Sequence, residues 1–340
     1  MSRWRQDPDG AAAEIIRRSR DVLALDGRVL LAGCGPQTLD AVRTAGLAPT
    51  HWSRRLTDTA AATPWPPAGP FDAALLRLAK ARDEALMSLH AVAGVLAEGG
   101  RIVLLGGNDE GIRSGEADLA ALCGTVETLA TRSHGRILAA PRPAGPLRSQ
   151  LADWRRVVPL DLAGEPRAWV TYPGLFASGT LDEGTALLLS ALPALRVGAR
   201  VLDFACGSGP IAGAVRICHP DAVLDMLDAD TVALAAAAEN VARARTIAGT
   251  SLAAIGSQRY DAILSNPPLH TGVAEDHGAL ERLVAQALQH LSPGGVLQLV
   301  VQRRVALGEA LAALFSAVDV VAESGRFRVW RAAGSTRQQA

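Results

Sequence analysis

Lysine is nearly missing from this chain: Lys80 is the only one, and arginine supplies the rest of the 34 basic residues. Because 34 acidic residues balance them, the net charge is zero. Neutrality excludes a protein that holds polyanions by bulk attraction alone, although arginine clusters can still grip phosphate locally. Aromatic residues are scarce at 4%, whereas hydrophobic residues reach 49%, so aliphatic side chains must fill the cores. No apolar run approaches the roughly 18 uncharged residues that cross a bilayer, and the opening MSRWRQDPDG lacks the apolar stretch of a secretion signal. A soluble, cytoplasmic, monomeric protein with no membrane partner is the expectation. The four cysteines, Cys34, Cys123, Cys206 and Cys218, form no CxxC pair and no Cys/His cluster at zinc spacing. They read as reduced thiols, and no metal is expected.

What is present is a pattern repeated twice. At roughly 100–200 residues per domain, the 340 residues predict two domains. In the first half, helical periodicity near Ala11–Leu25 precedes an apolar run, Arg28–Ala32, and then Gly33-Cys34-Gly35-Pro36. A second run, Phe71–Leu76, is followed by helical periodicity over Arg82–Ala97, by Glu98-Gly99-Gly100 and by a strand pattern at Arg101–Leu105. In the second half, Arg200–Phe204 leads into Ala205-Cys206-Gly207-Ser208-Gly209-Pro210, and Ala222–Leu227 ends at Asp228. A helical segment is expected over Thr231–Arg245, a strand at Tyr260–Ser265, a helix near Ala279–Leu291, Pro293-Gly294-Gly295, and a strand at Val296–Val301. A short helix at Leu307–Phe315 and strands at Val318–Glu323 and Arg326–Arg331 complete the pattern. Strand, glycine turn and helix in repetition predict a parallel sheet covered by helices. The matched turns imply an internal duplication with a period of about 170 residues. The fold class is therefore α/β, with two tandem Rossmann-like domains, each a mainly parallel sheet flanked by helices. We expect residues 1–145 as the first domain, 146–166 (within the proline- and arginine-rich Ala140–Pro166) as linker, and 167–340 as the catalytic domain.

The chemistry concentrates in the second half. A glycine turn between strand and helix brings bare backbone close to a ligand. Here an acid leads the turn, in Asp203-Phe204-Ala205-Cys206-Gly207-Ser208-Gly209. That suits a cationic ligand better than a pyrophosphate: Asp203 can accept from an ammonium, while Gly207 and Gly209 leave room for ribose and methionine. Asp228, at the end of the next strand, can take both ribose hydroxyls. Asn266-Pro267-Pro268 follows a later strand, and two prolines fix two φ angles and hold Asn266 extended. The Asn266 side-chain carbonyl and the Pro267 carbonyl can both accept from a planar NH2, aiming its lone pair at a sulfonium methyl. Catalysis is then alignment and electrostatic stabilisation, with S-adenosylmethionine as the cofactor. The first half has the glycine turn but no acid before it, and Arg77-Leu78-Ala79-Lys80 stands where the second half has Asn-Pro-Pro. That copy is expected to be catalytically silent, kept for structure or RNA docking.

These residues resemble those of the bacterial ribosomal RNA guanine-N2 methyltransferases, of the small-subunit methyltransferase C type, with methyltransferase G as a near relative. The resemblance rests on 175–185 (LFASGTLDEGT), Val201–Gly209, Leu227-Asp228, Asp261–His270 and 324–330 (SGRFRVW), with Gly106–Ser114 matching the first domain. It implies a cofactor site at Asp203, Ala205, Gly207, Ser208, Gly209, Asp228, Ala229 and Asn266. It further implies that the Phe176–Thr185 loop, with Thr180 and Gly184, closes over the methionine end. A guanine would be received at Asn266–Leu269, so Asn266, Pro267 and Pro268 are the catalytic candidates. Leu269, His270, Phe176 and Arg303 are the substrate-binding candidates. Guanine N2 as the target comes from the resemblance alone, as does ribosomal RNA or the small subunit as partner. Two departures stand out. The family has Phe after Asn-Pro-Pro where this chain has Leu269, and an aromatic stacked on a base is worth roughly 1–3 kcal/mol. The 251–259 stretch is also short, with Gly256 and Ser257 where an Asp or Asn is expected beside the adenine.

Phosphate contacts are expected from Arg142 and Arg148, Arg155-Arg156, Arg303-Arg304, and Arg326, Arg328 and Arg331, with Arg303-Arg304 best placed. Two other readings remain open on residues alone: methylation of a protein glutamine amide, which uses the same Asn-Pro-Pro chemistry, and an RNA-binding homologue with weakened catalysis.

Overall fold

The structure is a computed structural model and describes residues 4, 7–23, 25–57, 61–267 and 274–336, the side chains of 178, 274–277 and 279 excepted. The chain divides into two compact units. One spans Met1–Arg55 and Thr59–Arg155, and the other spans Leu56–Asp58 and Arg156–Ala340.

In the first unit the strands are β1 (Val29–Ala32), β2 (Thr50–Trp52), β3 (Phe71–Arg77), β4 (Leu96–Gly107), β5 (Glu127–Arg132) and β6 (Gly135–Pro141). The helices are α1 (Pro8–Arg18), α2 (Pro36–Thr44), α3 (Arg82–Gly94) and α4 (Ile112–Cys123). The sheet order is β2-β1-β3-β4-β6-β5, parallel through β4, with β6 running antiparallel to both β4 and β5. Alternate residues of β1 serve opposite faces, Val29 and Leu31 in one core and Leu30 and Ala32 in the other. Such two-sided burial is what helices on both faces of a parallel sheet impose. Helix α1 begins three residues earlier than the apolar periodicity suggests. Asp7 caps it by accepting from Gly10 N–H at 2.8 Å, and Pro8 fits the first turn, where no N–H is needed.

The second unit contains β7 (Arg156–Leu162), β8 (Glu165–Thr171), β9 (Arg200–Phe204), β10 (Val223–Asp228), β11 (Ala244–Ala248), β12 (Tyr260–Ser265), β13 (Leu291–Gln302), β14 (Ala317–Glu323) and β15 (Phe327–Ala333). Its helices are α5 (Glu183–Leu189), α6 (Pro210–Cys218), α7 (Thr231–Asn240), α8 (Ala274–His290) and α9 (Gly308–Ala312). The large sheet runs β11-β10-β9-β12-β13-β15-β14, again parallel until the last two strands. The order is that of the first unit with one edge strand added.

The duplication extends to single hydrogen bonds. Arg28 N–H donates to Asp72 Oδ2 at 2.7 Å, and at the corresponding strand starts Arg200 N–H donates to Asp261 Oδ2 at 2.8 Å. Both Gly-Gly turns lie inside long strands, where they shift the register between Phe71 and Ala73 and between Tyr260 and Ala262.

Two expectations change. Helix α7 stops at Asn240, and the end of the expected Thr231–Arg245 helix is β11 instead. The segment expected as linker contains all of β7 and the first two residues of β8, strands of an antiparallel hairpin belonging to the second unit. Its prolines, Pro159 and Pro166, are tolerated because two-stranded pairing leaves N–H positions that need no partner, while Leu160, Leu162 and Trp169 are buried against that unit's core.

Candidate active site at the carboxyl ends of β9, β10 and β12

Asp203 is the next-to-last residue of the interior strand β9, with only 1% of its surface exposed. Its Oδ2 accepts from Ala212 N–H in α6 at 3.0 Å, while among the described residues the buried Oδ1 has no partner. Burial, with the negative charge of Asp228 adding to it, pushes the Asp203 carboxyl up to about 8 despite the Ala212 bond. A buried acceptor lacking a counter-charge is costly, and a ligand cation would relieve it.

The bend that follows turns through left-handed backbone at Ala205, Gly207 and Gly209 (φ +57°, +55° and +89°). The two glycines differ in use. A Cβ on Gly207 would meet nothing within 4 Å, whereas one on Gly209 would lie 3.1 Å from Val241 Cγ2 and 3.2 Å from Met226 Sδ. Gly207 thus presents open backbone, and Gly209 lets the bend pack against the core under α7. Asp228 ties the bend to β10: its Oδ2 accepts from Gly207 N–H and its Oδ1 from Asp230 N–H, both at 2.8 Å. The carbonyl of Ala229 accepts from Leu56 N–H at 2.8 Å, so a short piece of the first half of the sequence lies in this unit beside the bend.

Strands β9 and β12 are neighbours, with Ser265 paired to Phe204 and its Oγ donating to the Phe204 carbonyl at 2.7 Å. Asn266 follows at once. Its Nδ2 donates to Asp182 Oδ2 and to Thr185 Oγ1, each at 2.9 Å. Both amide hydrogens are spoken for, which leaves Oδ1 as the acceptor. Pro267 is buried, whereas Pro268, Leu269 and His270 lie outside the described residues.

Phe176 stands 62% exposed in the 3-10 turn Phe176–Gly179, and Thr180 closes that turn with its N–H and hydroxyl on the Ala177 carbonyl, both at 2.8 Å. Gly184 is buried in α5, where a Cβ would lie 3.1 Å from both Asp182 Oδ2 and Phe327 Cδ1. The short 251–259 stretch forms the 3-10 turn Leu252–Ile255, held by Leu252 N–H donating to Gln286 Oε1 at 3.2 Å.

Sequence reasoning assigned no role to Trp169 or Asn240. Trp169 Nε1 donates to Ser208 Oγ at 3.0 Å, and Asn240 Nδ2 donates to the carbonyls of Ser208 and Val170 at 3.0 and 2.9 Å. They bind the glycine bend to the β7–β8 hairpin. No local motif marks such long-range pairs, although Asp182 and Thr185 do show the spacing of a helix cap.

The arginines are more committed than their spacing implies. Arg303 pairs with Glu323 at 2.7 Å, Arg328 with the same Glu323 at 3.1 Å, and Arg326 with Glu183 at 3.1 Å. Arg331 donates to Gln298 Oε1 and to the Ala191 carbonyl, both at 2.8 Å, and Arg148 lies over the Trp154 ring at 3.6 Å. Arg304 is exposed and makes no ion pair among the described residues.

The corresponding place in the first unit is filled from within. Asp9 Oδ1 accepts from Gly35 N–H at 3.0 Å and from the Thr38 hydroxyl at 2.5 Å, and Oδ2 accepts from Gln37 N–H at 2.8 Å. A carboxylate thus caps α2 where a ligand would approach. Arg77, in the position of Asn266, is paired with Glu110 at 2.5 Å and lies over Trp4 at 5.0 Å. Among the described residues no cluster of His, Cys, Asp and Glu could hold a metal, and no helix is long and apolar enough to cross a membrane.

The family model of the methyltransferase small domain matches residues 167–331, and that of its N-terminal domain matches residues 48–156. The ribosomal RNA small subunit methyltransferase C of Pseudomonas entomophila is 34% identical over 266 residues, covering 77% of this chain and 79% of that protein. The chain belongs to this methyltransferase family. The methyltransferase C of Stutzerimonas stutzeri is 31% identical over 332 residues, covering 94% of this chain and 98% of its own. The fold is that of the T. thermophilus 16S rRNA N2 G1207 methyltransferase, solved with AdoMet and guanosine. Its TM-score is 0.82 at 22% identity, covering 98% of this chain and 93% of that one. As a methyltransferase C homologue, the chain has the two-domain α/β architecture expected from its repeated turns.

Proposed function

We propose that the second unit transfers the methyl group of S-adenosylmethionine to the exocyclic N2 amine of a guanine in small-subunit ribosomal RNA, and that the first unit is a non-catalytic copy. The observation that carries this reading is the anchored amide of Asn266, whose hydrogens go to Asp182 and Thr185. A carbonyl oxygen fixed in this way accepts from an NH2 and does not compete with it as a donor. The names of the methyltransferase C relatives support RNA over a protein glutamine as the acceptor.

The residues present fit the cofactor. Asp203 Oδ1 is buried without a partner, as a site for a ligand ammonium requires, and Gly207 offers uncluttered backbone. Asp228, held by Gly207 and Asp230, lies where a ribose is taken at the carboxyl edge of a doubly wound sheet. When bound, the cofactor supplies an electrophilic methyl on a sulfonium. Asn266 Oδ1 and the Pro267 carbonyl orient the guanine amine, and their partial negative charge stabilises the positive charge that develops on nitrogen as the bond forms. No strong base is needed, since the amine once alkylated is a strongly acidic cation and gives its proton to solvent water. Phe176 and Arg304 are the exposed groups suited to base stacking and phosphate contact. Arg303 reaches phosphate only in competition with Glu323.

Labelled methyl transfer to small-subunit RNA tests the reading. Asn266→Ala is expected to reduce transfer at least a hundredfold with cofactor affinity within severalfold of wild type. Retained transfer in that variant removes Asn266 from the acceptor role, and modification of a protein instead of RNA overturns the substrate.

A further inference from the structure

We infer that Asp182 and Thr185 are positioning residues for methyl transfer. Together they fix which end of the Asn266 amide meets the acceptor amine, an inference that rests on the function proposed above. An asparagine side chain is nearly symmetric in shape, and rotation by half a turn exchanges a carbonyl for an NH2. An NH2 presented to an acceptor NH2 repels it, so the orientation of this one amide decides whether the site can work. Two prolines after Asn266 restrain its backbone but do not choose between the two side-chain orientations. The choice comes from another segment of the chain.

Asp182 is the N-cap of α5, and one oxygen, Oδ2, accepts both from Thr185 N–H at 3.1 Å and from Asn266 Nδ2 at 2.9 Å. The second amide hydrogen goes to Thr185 Oγ1 at 2.9 Å, on a residue that is itself buried. Asp182 Oδ2 accepts from two N–H donors, so it selects the NH2 end of the amide and repels the carbonyl. The cap bond holds Asp182 rigid, and the same turn of helix delivers the threonine hydroxyl. Gly184 lies between them with no side chain, and a Cβ there would press on Asp182 Oδ2 at 3.1 Å. Cap, hydroxyl and small residue are therefore one device.

The test separates this role from a structural one. Asp182→Ser keeps a side chain that caps helices as well as aspartate does but is too short to reach Asn266. Thr185→Val keeps the shape and removes the hydroxyl. The double variant is expected to lose tenfold to a hundredfold in kcat on RNA, while KM, the cofactor Kd from calorimetry and the Tm stay near wild type. Thr185→Ser, which restores the hydroxyl, is expected to recover most of the kcat lost in Thr185→Val. Wild-type kcat in the double variant, or a loss that falls on cofactor Kd or Tm instead, overturns the inference, as does failure of Thr185→Ser to recover. Asn266→Ala is run alongside. If it remains active, the functional reading itself fails. If it is inactive while the double variant turns over normally, only the positioning role fails.

Discussion

Asp203 gives the cofactor-free protein a pH dependence opposite to that of an ordinary paired carboxylate. Its carboxyl moves from 3.8 to about 8, because burial disfavours the charge and Asp228 adds to the effect. Between these values the folded chain holds a proton that the unfolded chain has released. The contribution to stability is therefore complete below about pH 4 and is lost as the pH rises through about 8. One proton gives a slope of about 1.4 kcal/mol per pH unit. Between about pH 6 and pH 8, with the curve flattening as the group ionises, the loss is roughly 2 kcal/mol. For a unit of this size each kcal/mol moves the Tm by roughly 2–4 °C, so a fall of about 4–8 °C is expected. Asp203→Asn is the control: neutral at every pH, it can still accept from Ala212 N–H. Thermal melts of both proteins without cofactor, at intervals across that range, isolate the group by difference. The advantage of the variant over wild type should grow with pH and level off above about pH 9. Parallel profiles would refute the reasoning. A ligand ammonium beside Oδ1 favours the ionised form, so S-adenosylmethionine affinity should rise over the same interval, until the ammonium itself titrates near about 8.

The two glycines of the bend should fail differently. Gly207→Ala costs about 1–2 kcal/mol through left-handed backbone alone and weakens cofactor binding by roughly tenfold, since its Cβ enters open space. Gly209→Ala adds overpacking against Val241 and Met226, for about 2–5 kcal/mol in all, and denaturant unfolding of the pair should separate them. Equal stability losses would show that the contacts at Gly209 are not restrictive. In the first unit, Asp9→Ala leaves the N–H groups of Gly35, Gln37 and Thr38 without their carboxylate. It should lower the protection of α2 in hydrogen exchange by about 1–3 kcal/mol with cofactor affinity unchanged. Unaltered protection would remove Asp9 from its capping role.

The elements that the sequence announced are those whose pattern is local. The strands β1 and β9 are apolar runs cut by the glycine bends, and β3, β10 and β12 are apolar runs that stop at Arg77, Asp228 and Asn266-Pro267, so side-chain period and turn chemistry suffice to find them and the Gly-Gly turns. The hairpin β7–β8 escaped because Pro159, Pro166 and the nearby arginines resemble a linker, and only burial of Leu160, Leu162 and Trp169 on another element explains it. Helix α7 was overextended because its alanines continue a helical composition, while pairing with β10 takes Ala244–Ala248 into the sheet. In the same way the arginine pairs looked available for phosphate until Glu323 and Glu183 were found beside them.

Order along the chain, the carboxylates of Asp203 and Asp228 and the stiffness of Asn-Pro-Pro follow from the sequence by itself, since each depends on neighbours a few residues away. Folding in three dimensions decided what those groups can do. It left Asp203 Oδ1 without a partner, divided the tasks of Gly207 and Gly209, and brought Asp182 and Thr185 to Asn266 across some eighty residues of chain. Hydrogen bonding and desolvation act through space, and no periodicity along the chain encodes which distant side chain will arrive.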